Sequence, residues 1–373
     1  MNDRSHSNWK LLHTLTGHTA QVNSIAIDTE SSMVASCSDD KTIRLWDLKT
    51  GKHIFTFFGE TKAVFSVAFH PQISLLASGG LDRTISTWNL EQKTMRSLGS
   101  NAGSHHHHLD YILAIAFTPN GETLASASAD KTIKIWDLSR WVSTRTLTGH
   151  SGKIWSIAID SEGKILASAS ADKTIRIWSL NSWQEPNIIT GHSGWVTAIA
   201  ISPNRTIVAS GSQDATIKLW SLNTGKLLFT LTGHSSAIWS LAFSPDGQML
   251  ASGANDGVKL WNLRTLELHQ SIPGHHPVTF SPDGKMLFCG SDRIHIEAWY
   301  QYSTTTYLTN QPILSGEWWE VLGVDRFASP QEVKLAYRRS IKQYHPDINR
   351  SPDAKEIMQA INQAYAKFEE ENS

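Results

Sequence analysis

The sequence has few of the features that mark a secreted, membrane-spanning or nucleic-acid-binding protein. Only two of its 373 residues are cysteines, Cys37 and Cys289, which excludes a disulfide framework and fits a reducing compartment. No apolar run approaches the roughly 20 residues that cross a bilayer, and no basic segment followed by an apolar stretch opens the chain. A formal net charge of −1 gives no electrostatic case for nucleic acid. We therefore expect a cytoplasmic protein that binds neither membrane nor nucleic acid.

An internal repeat organises most of the chain. Each unit contains Gly-His, a short alternating apolar run, a Ser-Pro-Asp-Gly-like turn, Leu-Ala-Ser, and Asp-Lys-Thr-Ile-x-x-Trp. The tryptophans that end the units are Trp46, Trp88, Trp136, Trp178, Trp220, Trp261 and, in a less regular unit, Trp299. By subtraction they lie 42, 48, 42, 42, 41 and 38 residues apart. Runs rich in Val, Ile, Thr and aromatic residues, bounded by turn residues, predict strands and hairpins.

These motifs resemble the WD-repeat family over roughly residues 9–300, most closely where Asp40-Lys41-Thr42 precedes Trp46. The resemblance implies a mainly β fold, a closed seven-bladed WD-type β-propeller that occupies residues 1–300. Residues 9–15 read like residues 226–231, the outer strand of another unit, and both segments precede Gly-His. An unpaired terminal strand would leave an open sheet edge. We therefore predict that the N-terminal strand 9–15 completes the last blade.

The same resemblance implies a buried quartet in each regular blade, with hydrogen bonds that run from indole to hydroxyl to imidazole to carboxylate. The four regular quartets are His18, Ser36, Asp40, Trp46; His150, Ser168, Asp172, Trp178; His192, Ser210, Asp214, Trp220; and His234, Ser252, Asp256, Trp261. A Ser-His-Asp set that recurs from blade to blade is unlike an active site, which occurs once. We expect these networks to rigidify the fold, and we expect no enzyme.

Three units depart from this pattern. The second has Glu60 where histidine is expected, and the seventh lacks residues of its inner strand and has Cys289 in place of serine. In the third, His108 falls in the quartet position at the end of the run 105–108. That run could bind a metal in principle, but no cysteine or carboxylate cluster stands at ligand spacing, and a loop is the expectation. We predict no metal or other cofactor.

Aromatic residues recur where each inner strand starts, which borders the channel mouth in propellers of this type. Phe65, Trp155 and Trp239 occupy one equivalent position, and Tyr111 and Trp195 stand two residues earlier in their units. If these side chains face the mouth, they form a partner-binding aromatic rim. The alternative is that some of them only fill the core between blades.

Two further tryptophans stand in outer hairpin turns. Trp141 and Trp183 occupy positions where other units have Gly51 or Gly225, a place that suits a positive φ. Because a bulky residue disfavours that conformation, we expect these two turns to adopt another geometry.

After the last repeat, residues 301–316 read as a polar linker, and the periodicity then becomes helical. One amphipathic helix is predicted over residues 330–344 and a second over about 352–368. Their predicted apolar stripes are Val333, Tyr337, Ile341 and Tyr344 on the first, and Ala354, Met358, Ile361, Tyr365 and Phe368 on the second. Two such helices form an antiparallel hairpin that buries both stripes.

Within this C-terminal part, the segments 318–324, 336–339 and 344–347 are similar to a J-domain, here a truncated one over residues 317–373. The resemblance implies docking on a DnaK-type chaperone and stimulation of its ATP hydrolysis. The residues it assigns to that contact are His345, Pro346 and Asp347 at the tip, with Lys334, Arg338, Arg339 and Lys342 on the helix. The propeller would then recruit a protein client or complex. The alternative is a WD-repeat scaffold whose J-module is vestigial.

Overall fold

The structure, a computed structural model, describes residues 8–30, 32–98, 107–302, 317–322, 324, 330–344 and 354–372. One compact unit spans Leu11–Tyr300, and a second contains the three C-terminal helices. Each unit is described by itself below. Within the described ranges, no helix is long and apolar enough to cross a membrane.

The first unit consists of seven sheets, each with four strands. Blades 1 to 3 contain β2 (Val22–Ile27), β3 (Met33–Ser38), β4 (Ile43–Asp47), β5 (His53–Phe57); β6 (Val64–Phe69), β7 (Leu75–Gly80), β8 (Ile85–Asn89), β9 (Thr94–Ser97); and β10 (Ile112–Phe117), β11 (Thr123–Ser128), β12 (Ile133–Asp137), β13 (Val142–Leu147). Blades 4 and 5 contain β14 (Ile154–Ile159), β15 (Ile165–Ser170), β16 (Ile175–Ser179), β17 (Asn187–Ile189); and β18 (Val196–Ile201), β19 (Ile207–Ser212), β20 (Ile217–Ser221), β21 (Leu227–Leu231). Blades 6 and 7 contain β22 (Ile238–Phe243), β23 (Met249–Ala254), β24 (Gly257–Asn262), β25 (Glu267–Ile272); and β26 (His275–Phe280), β27 (Met286–Gly290), β28 (Ile296–Tyr302), joined by β1 (Asn8–Leu15).

The strands of each blade are antiparallel and follow one another in chain order, except in the seventh sheet. There the order is β1-β28-β27-β26, so the first strand of the chain pairs with the last strand of the propeller. A ring joined in this way has no free terminal strand on that blade. The closed seven-bladed propeller predicted from the repeats is confirmed.

The second strand of each blade is buried on both faces, which explains the recurring Leu-Ala-Ser. In β3, every residue from Val34 to Ser38 is buried, and small side chains there let the neighbouring blades approach closely. One hydrophobic cluster accordingly joins Ala35 and Ile43 of blade 1 to Leu76 and Trp88 of blade 2. Each blade therefore completes its core against the next one, as in other repeat architectures.

The expectation for the two tryptophan turns is wrong. Trp141 and Trp183 have φ values of 60° and 54°, close to the 67° of Gly51 and the 68° of Gly225. Their indole rings are held by arginines of the preceding blades. The Arg96 guanidinium lies 4.1 Å from the Trp141 ring centroid, and Arg145 forms the same contact with Trp183 at 4.5 Å. Contact between blades thus offsets a backbone conformation that disfavours bulky residues.

The second unit has three helices, α1 (Trp318–Leu322), α2 (Pro330–Tyr344) and α3 (Ala354–Asn372). The bounds of α2 agree with the prediction, α3 starts and ends later than predicted, and α1 was not predicted as a helix. On α3 the buried stripe includes Ile357, where Met358 was expected. The three helices share one small core made by Trp318, Leu322, Val333, Ile357, Ile361, Ala364 and Phe368.

Candidate functional site

Blade 4 shows the geometry of the buried quartets. The Trp178 indole N–H donates to Ser168 Oγ at 2.9 Å, that hydroxyl lies 2.8 Å from His150 Nε2, and His150 Nδ1 lies 2.7 Å from Asp172 Oδ2. The same chain of contacts recurs in four other blades, through His18, Ser36, Asp40, Trp46; His108, Ser126, Asp130, Trp136; His192, Ser210, Asp214, Trp220; and His234, Ser252, Asp256, Trp261.

These quartets are closed to substrate. Ser168 is fully buried, and its hydroxyl is held by both neighbours in the network. Burial alone would raise the pKa of Asp172, but hydrogen bonds from His150 and Thr174 outweigh it and hold that pKa well below its ordinary value. Burial lowers the pKa of His192 and His234, so both rings are neutral at pH 7. A satisfied, buried network of this kind acts as scaffold.

Blade 2 replaces the histidine by a carboxyl group. Ser78 Oγ lies 2.5 Å from Glu60 Oε1 and accepts the Trp88 indole N–H at 2.8 Å. Burial and the nearby carboxylate of Asp82 raise the pKa of Glu60 to about 7, against the opposing hydrogen bond with Ser78. The blade keeps its indole-to-hydroxyl contact and holds two neighbouring carboxyl groups where the others hold an imidazole and a carboxylate.

The seventh blade keeps its inner strand, contrary to the expectation that residues of this strand are missing. Strand β26 has six residues, like the inner strands of blades 1 to 6. The missing residues belong mainly to the stretch before it. His234 precedes Leu241, the residue opposite the quartet serine, by seven positions, whereas His275 precedes Val278, opposite Cys289, by three. Cys289 is buried, which raises the pKa of its thiol, and the Trp299 indole N–H donates to Glu297 at 3.2 Å.

A β-bulge at the start of each inner strand turns one side chain toward the channel. In blades 1 to 6 the register shifts between the first and third strand residues, which leaves the second residue without a partner. In blade 7 two residues, His276 and Pro277, fall in the shift. All of these bulge residues line one cavity: Asn23, Phe65, Leu113, Trp155, Thr197, Trp239, His276 and Pro277. Bulges often re-aim side chains in this way beside functional sites.

Four of the five predicted rim residues, Phe65, Tyr111, Trp155 and Trp239, line this cavity at the channel mouth. Its volume is about 650 Å³. The fifth, Trp195, is 41% exposed and stacks on Trp155, with ring centroids 6.0 Å apart. Phe65 and Tyr111 form a separate edge-to-face pair, with centroids 6.5 Å apart.

A continuous series of aromatic rings runs over blades 4 to 7. Trp155 of blade 4 meets Trp239 of blade 6 edge to face at 5.6 Å, and Trp239 meets His276 of blade 7 at 6.0 Å. The contact between blades 4 and 6 passes blade 5 because the bulge residue there, Thr197, is small and donates its hydroxyl to the Ile238 carbonyl. Asn23 is tied down in the same manner, by a hydrogen bond to the Val64 carbonyl at 2.9 Å. The polar bulge residues therefore brace the ring, and the aromatic ones remain available to a ligand.

Sequence reasoning missed the two cationic residues of the mouth. Lys153 and Arg293 line the cavity and are exposed, and Lys153 Nζ lies 5.5 Å from the Tyr111 ring centroid. Lys153 could have been found, because it occupies the position of Tyr111 and Trp195 in its own unit. Arg293 could not be found by comparing the starts of the inner strands, since it reaches the mouth from the turn between β27 and β28.

In the helical unit, α2 presents basic residues to solvent. Lys334 and Arg338 are exposed, as is Leu335 between them, while Val333 is fully buried in the core. The side chains of Arg339 and Lys342 lie outside the described residues, as do the whole of His345, Pro346 and Asp347.

Aromatic contacts fix this helical core. Trp318 packs edge to face on Phe368 at 4.8 Å and donates its indole N–H to Glu371 at 2.8 Å. Tyr337 of α2 stacks on Tyr365 of α3, with centroids 4.0 Å apart and planes 14° from parallel. The tryptophan in the first helix thus has a defined structural role, and it links the two ends of the module.

The histidine run 105–108 is only partly described. His108 belongs to the blade 3 quartet, and residues 105 and 106 lie outside the described ranges. Elsewhere in the described part of the chain, no group of three or more histidine, cysteine or carboxylate side chains is placed to hold a metal.

Comparison with protein-family models shows the family to which the propeller belongs. The family model for the WD domain, G-beta repeat, matches seven times, over residues 9–47, 51–89, 99–137, 141–179, 183–221, 225–262 and 266–294. These matches cover well over half of the chain. The chain belongs to the WD-repeat family. In this WD-repeat protein the second unit is matched by a different model, that of the DnaJ domain, over residues 317–373.

Curated proteins similar to this WD-repeat protein match at the J-domain. The chain is 46% identical over 57 residues to the chaperone protein DnaJ of Crocosphaera subtropica, which is 15% of each chain. It is 56% identical over 48 residues to the DnaJ of Mycoplasma capricolum, 13% of each chain. To DnaJ 2 of Thermus thermophilus it is 50% identical over 50 residues, 13% of this chain and 18% of the relative. The similarity thus spans less than a fifth of each of these relatives.

Proposed function

We propose that this protein is a J-domain co-chaperone that docks on a DnaK-type chaperone and stimulates its ATP hydrolysis, while the propeller recruits a protein client or complex. The observation that carries the proposal is the J-domain match over residues 317–373 on a helical unit with its own core. The protein does no chemistry of its own in this scheme. It favours one conformation of the chaperone, so its effect is a coupling free energy.

The exposed side of α2 supports a docking role. Lys334 and Arg338 are exposed on the same helix whose Val333 is fully buried, so the helix separates a core-facing stripe from a cationic one. Such charges mainly steer encounter and fix the orientation of the partner. We assign the tip residues His345, Pro346 and Asp347 the contact that changes the chaperone, with Pro346 stiffening the bend and Asp347 engaging cations.

The docking role of α2 and the role of the tip residues predict different effects on the kinetics of ATP hydrolysis. Charge reversal at Lys334 and Arg338 should raise the concentration needed for half-maximal stimulation and reduce its salt dependence, with little change in the maximum. Asp347→Asn should instead abolish the maximal stimulation. Lys52→Glu, an exposed charge reversal on the propeller, is the control and should change neither. If reversal on α2 leaves the half-maximal concentration unchanged, the docking role of that helix is wrong.

The propeller contributes by holding the client close to the tethered J-domain, which raises the effective concentration of the chaperone's target. The aromatic rim at the channel mouth is the surface that we assign to this recruitment. The two free cysteines are both buried thiols, which supports a reducing compartment such as the cytoplasm as the place of action.

A scaffold with a vestigial J-module is the second candidate, since the described residues that line the mouth all belong to the propeller. It predicts the same partners and the same cellular phenotype for the wild type and for His345→Gln. The co-chaperone proposal predicts the same partners but loss of the phenotype. The cellular phenotype of His345→Gln therefore separates the two, and crosslinking at the rim in both backgrounds checks that the captured partners are unchanged.

A further inference from the structure

The channel mouth is asymmetric in chemistry as well as in shape. Two aromatic groups line the same cavity: Trp155, Trp239 and His276 of blades 4, 6 and 7, on which Trp195 of blade 5 stacks from outside the lining, and the pair Phe65 and Tyr111 of blades 2 and 3. A volume of about 650 Å³ exceeds what one side chain fills and lies in the range of sites for small ligands and peptide segments. The walls therefore favour an apolar, preferably aromatic, anchor.

The charges at the mouth are of one sign. Lys153 and Arg293 line the cavity, and neither has an ion-pair partner among the described residues. No aspartate or glutamate is found among the described residues that line it. Two carboxylates stand just outside this lining: Asp39 accepts a hydrogen bond from Asn23 at 2.8 Å, and Asp110 accepts the Tyr111 backbone N–H at 2.9 Å. Burial of the His276 ring, together with the charges of His275 and Arg293, lowers the pKa of His276 to about 4. The ring therefore adds no charge at pH 7.

Hydrogen-bonding groups without partners complete the site. The indole nitrogen of Trp155 is enclosed and has no acceptor within the described part of the protein. The side-chain amides of Gln21 and Asn255, which also line the cavity, make no hydrogen bond to described residues. An extended peptide carries carbonyl and N–H groups that such side chains can satisfy, and a carbonyl that reaches Trp155 would relieve an unsatisfied donor.

We propose that the channel mouth binds an acidic peptide segment of a protein partner, an extended stretch in which one aromatic or large aliphatic side chain is flanked by carboxylates. The apolar side chain enters between the aromatic groups, and the carboxylates meet Lys153 and Arg293. This inference rests on the proposed recruiting role of the propeller and gives its partner a chemical class. Single-stranded nucleic acid also combines π faces with negative charge, but it needs a groove of several cations that follows the backbone. Among the residues that the structure describes, two unpaired cations line this mouth.

The proposal is tested by measuring the binding of labelled short peptides to the full chain, without chaperone, by fluorescence anisotropy. The probe has a central phenylalanine flanked by aspartates. Its matched forms replace the phenylalanine by alanine or the aspartates by lysines, and a single-stranded DNA oligonucleotide is the remaining arm. We expect the acidic aromatic peptide to bind at least about tenfold tighter than the other three, with an affinity that falls as salt rises.

Variants locate the site. Lys153→Glu and Trp239→Ala should each weaken the acidic peptide about tenfold or more, whereas Lys285→Glu should leave it unchanged. Lys285 is equally exposed but lies just before β27, at the far end of β26 from the mouth. Absence of binding by the acidic peptide, equal binding of the lysine form, tighter binding of the oligonucleotide, or affinity unaffected by both mouth variants would each overturn the inference. Asp347→Asn should leave peptide binding intact, so failure here is distinct from failure of chaperone stimulation.

Discussion

Replacing Glu60 by glutamine removes the one carboxyl group that stands in place of a quartet histidine. In the wild type, Ser78 lies 2.5 Å from Glu60 Oε1 and receives the Trp88 indole N–H, while Asp82 and the buried thiol of Cys37 face the same carboxyl group. Glutamine has the same shape and can still bond to the serine. It differs from glutamate mainly in that it does not ionise, so the pH dependence of its effect reports on ionisation alone.

The sign and size of the expected difference in stability follow from the pKa of Glu60. Burial and the Asp82 carboxylate raise the pKa of Glu60 from 4.5 to about 7, so the folded protein favours the protonated form. Protonated Glu60 thus adds to the free energy of unfolding, and this contribution is fully present below pH 4.5 and is lost as pH rises through 7. The shift corresponds to about 3 kcal/mol. We therefore expect Glu60→Gln to match the wild type at pH 4.5 and to exceed its free energy of unfolding by about 3 kcal/mol at pH 8.

Guanidinium-induced unfolding, followed by tryptophan fluorescence between pH 4.5 and pH 8, measures this difference. Glu91→Gln, which changes an exposed carboxylate of the same blade, is the control and should show a small difference that does not vary with pH. If the difference in free energy of unfolding between Glu60→Gln and the wild type is the same at pH 4.5 and pH 8, the raised pKa of Glu60 in the folded protein is wrong.

Three further predictions test other parts of the structure. Ser210→Ala should lower the free energy of unfolding by about 1–3 kcal/mol, since it leaves the Trp220 indole and the His192 ring without their shared hydroxyl, and denaturant unfolding measures this. Trp318→Ala should destabilise the helical unit by about 3–5 kcal/mol, seen as loss of helical circular dichroism while the propeller transition is retained. Trp141→Ala should be less stable than Trp141→Gly by about 1 kcal/mol in thermal or denaturant unfolding, because alanine keeps the strain of a positive φ without the ring contact; equal stability of the two variants would remove the case for strain.

The blades could be predicted because their signals are local. Turn residues and the one-unit spacing of the tryptophans, such as the 42 residues from Trp136 to Trp178, define each unit, and the quartet histidine and aspartate stand at constant offsets from the serine. The bulges were not predictable, since the register between two strands depends on the packing of both. The direction of the Trp155 side chain depends on this bulge, so the sequence left open whether it fills the core or faces the channel.

Other features depended on neighbouring blades or helices. Trp141 adopts the conformation of a glycine because Arg96, more than 40 residues earlier, covers its ring. The meeting of Trp155 and Trp239 requires a small residue in the blade between them, which no periodicity reveals. On α3, the buried stripe follows contacts with α1 and α2, so Ile357 is chosen over Met358 by packing that the helical period alone does not specify.

Single-turnover ATP hydrolysis by a DnaK-type chaperone, with the full chain added at increasing concentration, tests the central claim most directly. If the protein is a J-domain co-chaperone, the hydrolysis rate rises severalfold and saturates with the wild type, and stays at the unstimulated rate when Asp347→Asn is added in its place. A rate that stays at the unstimulated level over the whole range of wild-type protein, or that Asp347→Asn raises equally, would contradict it.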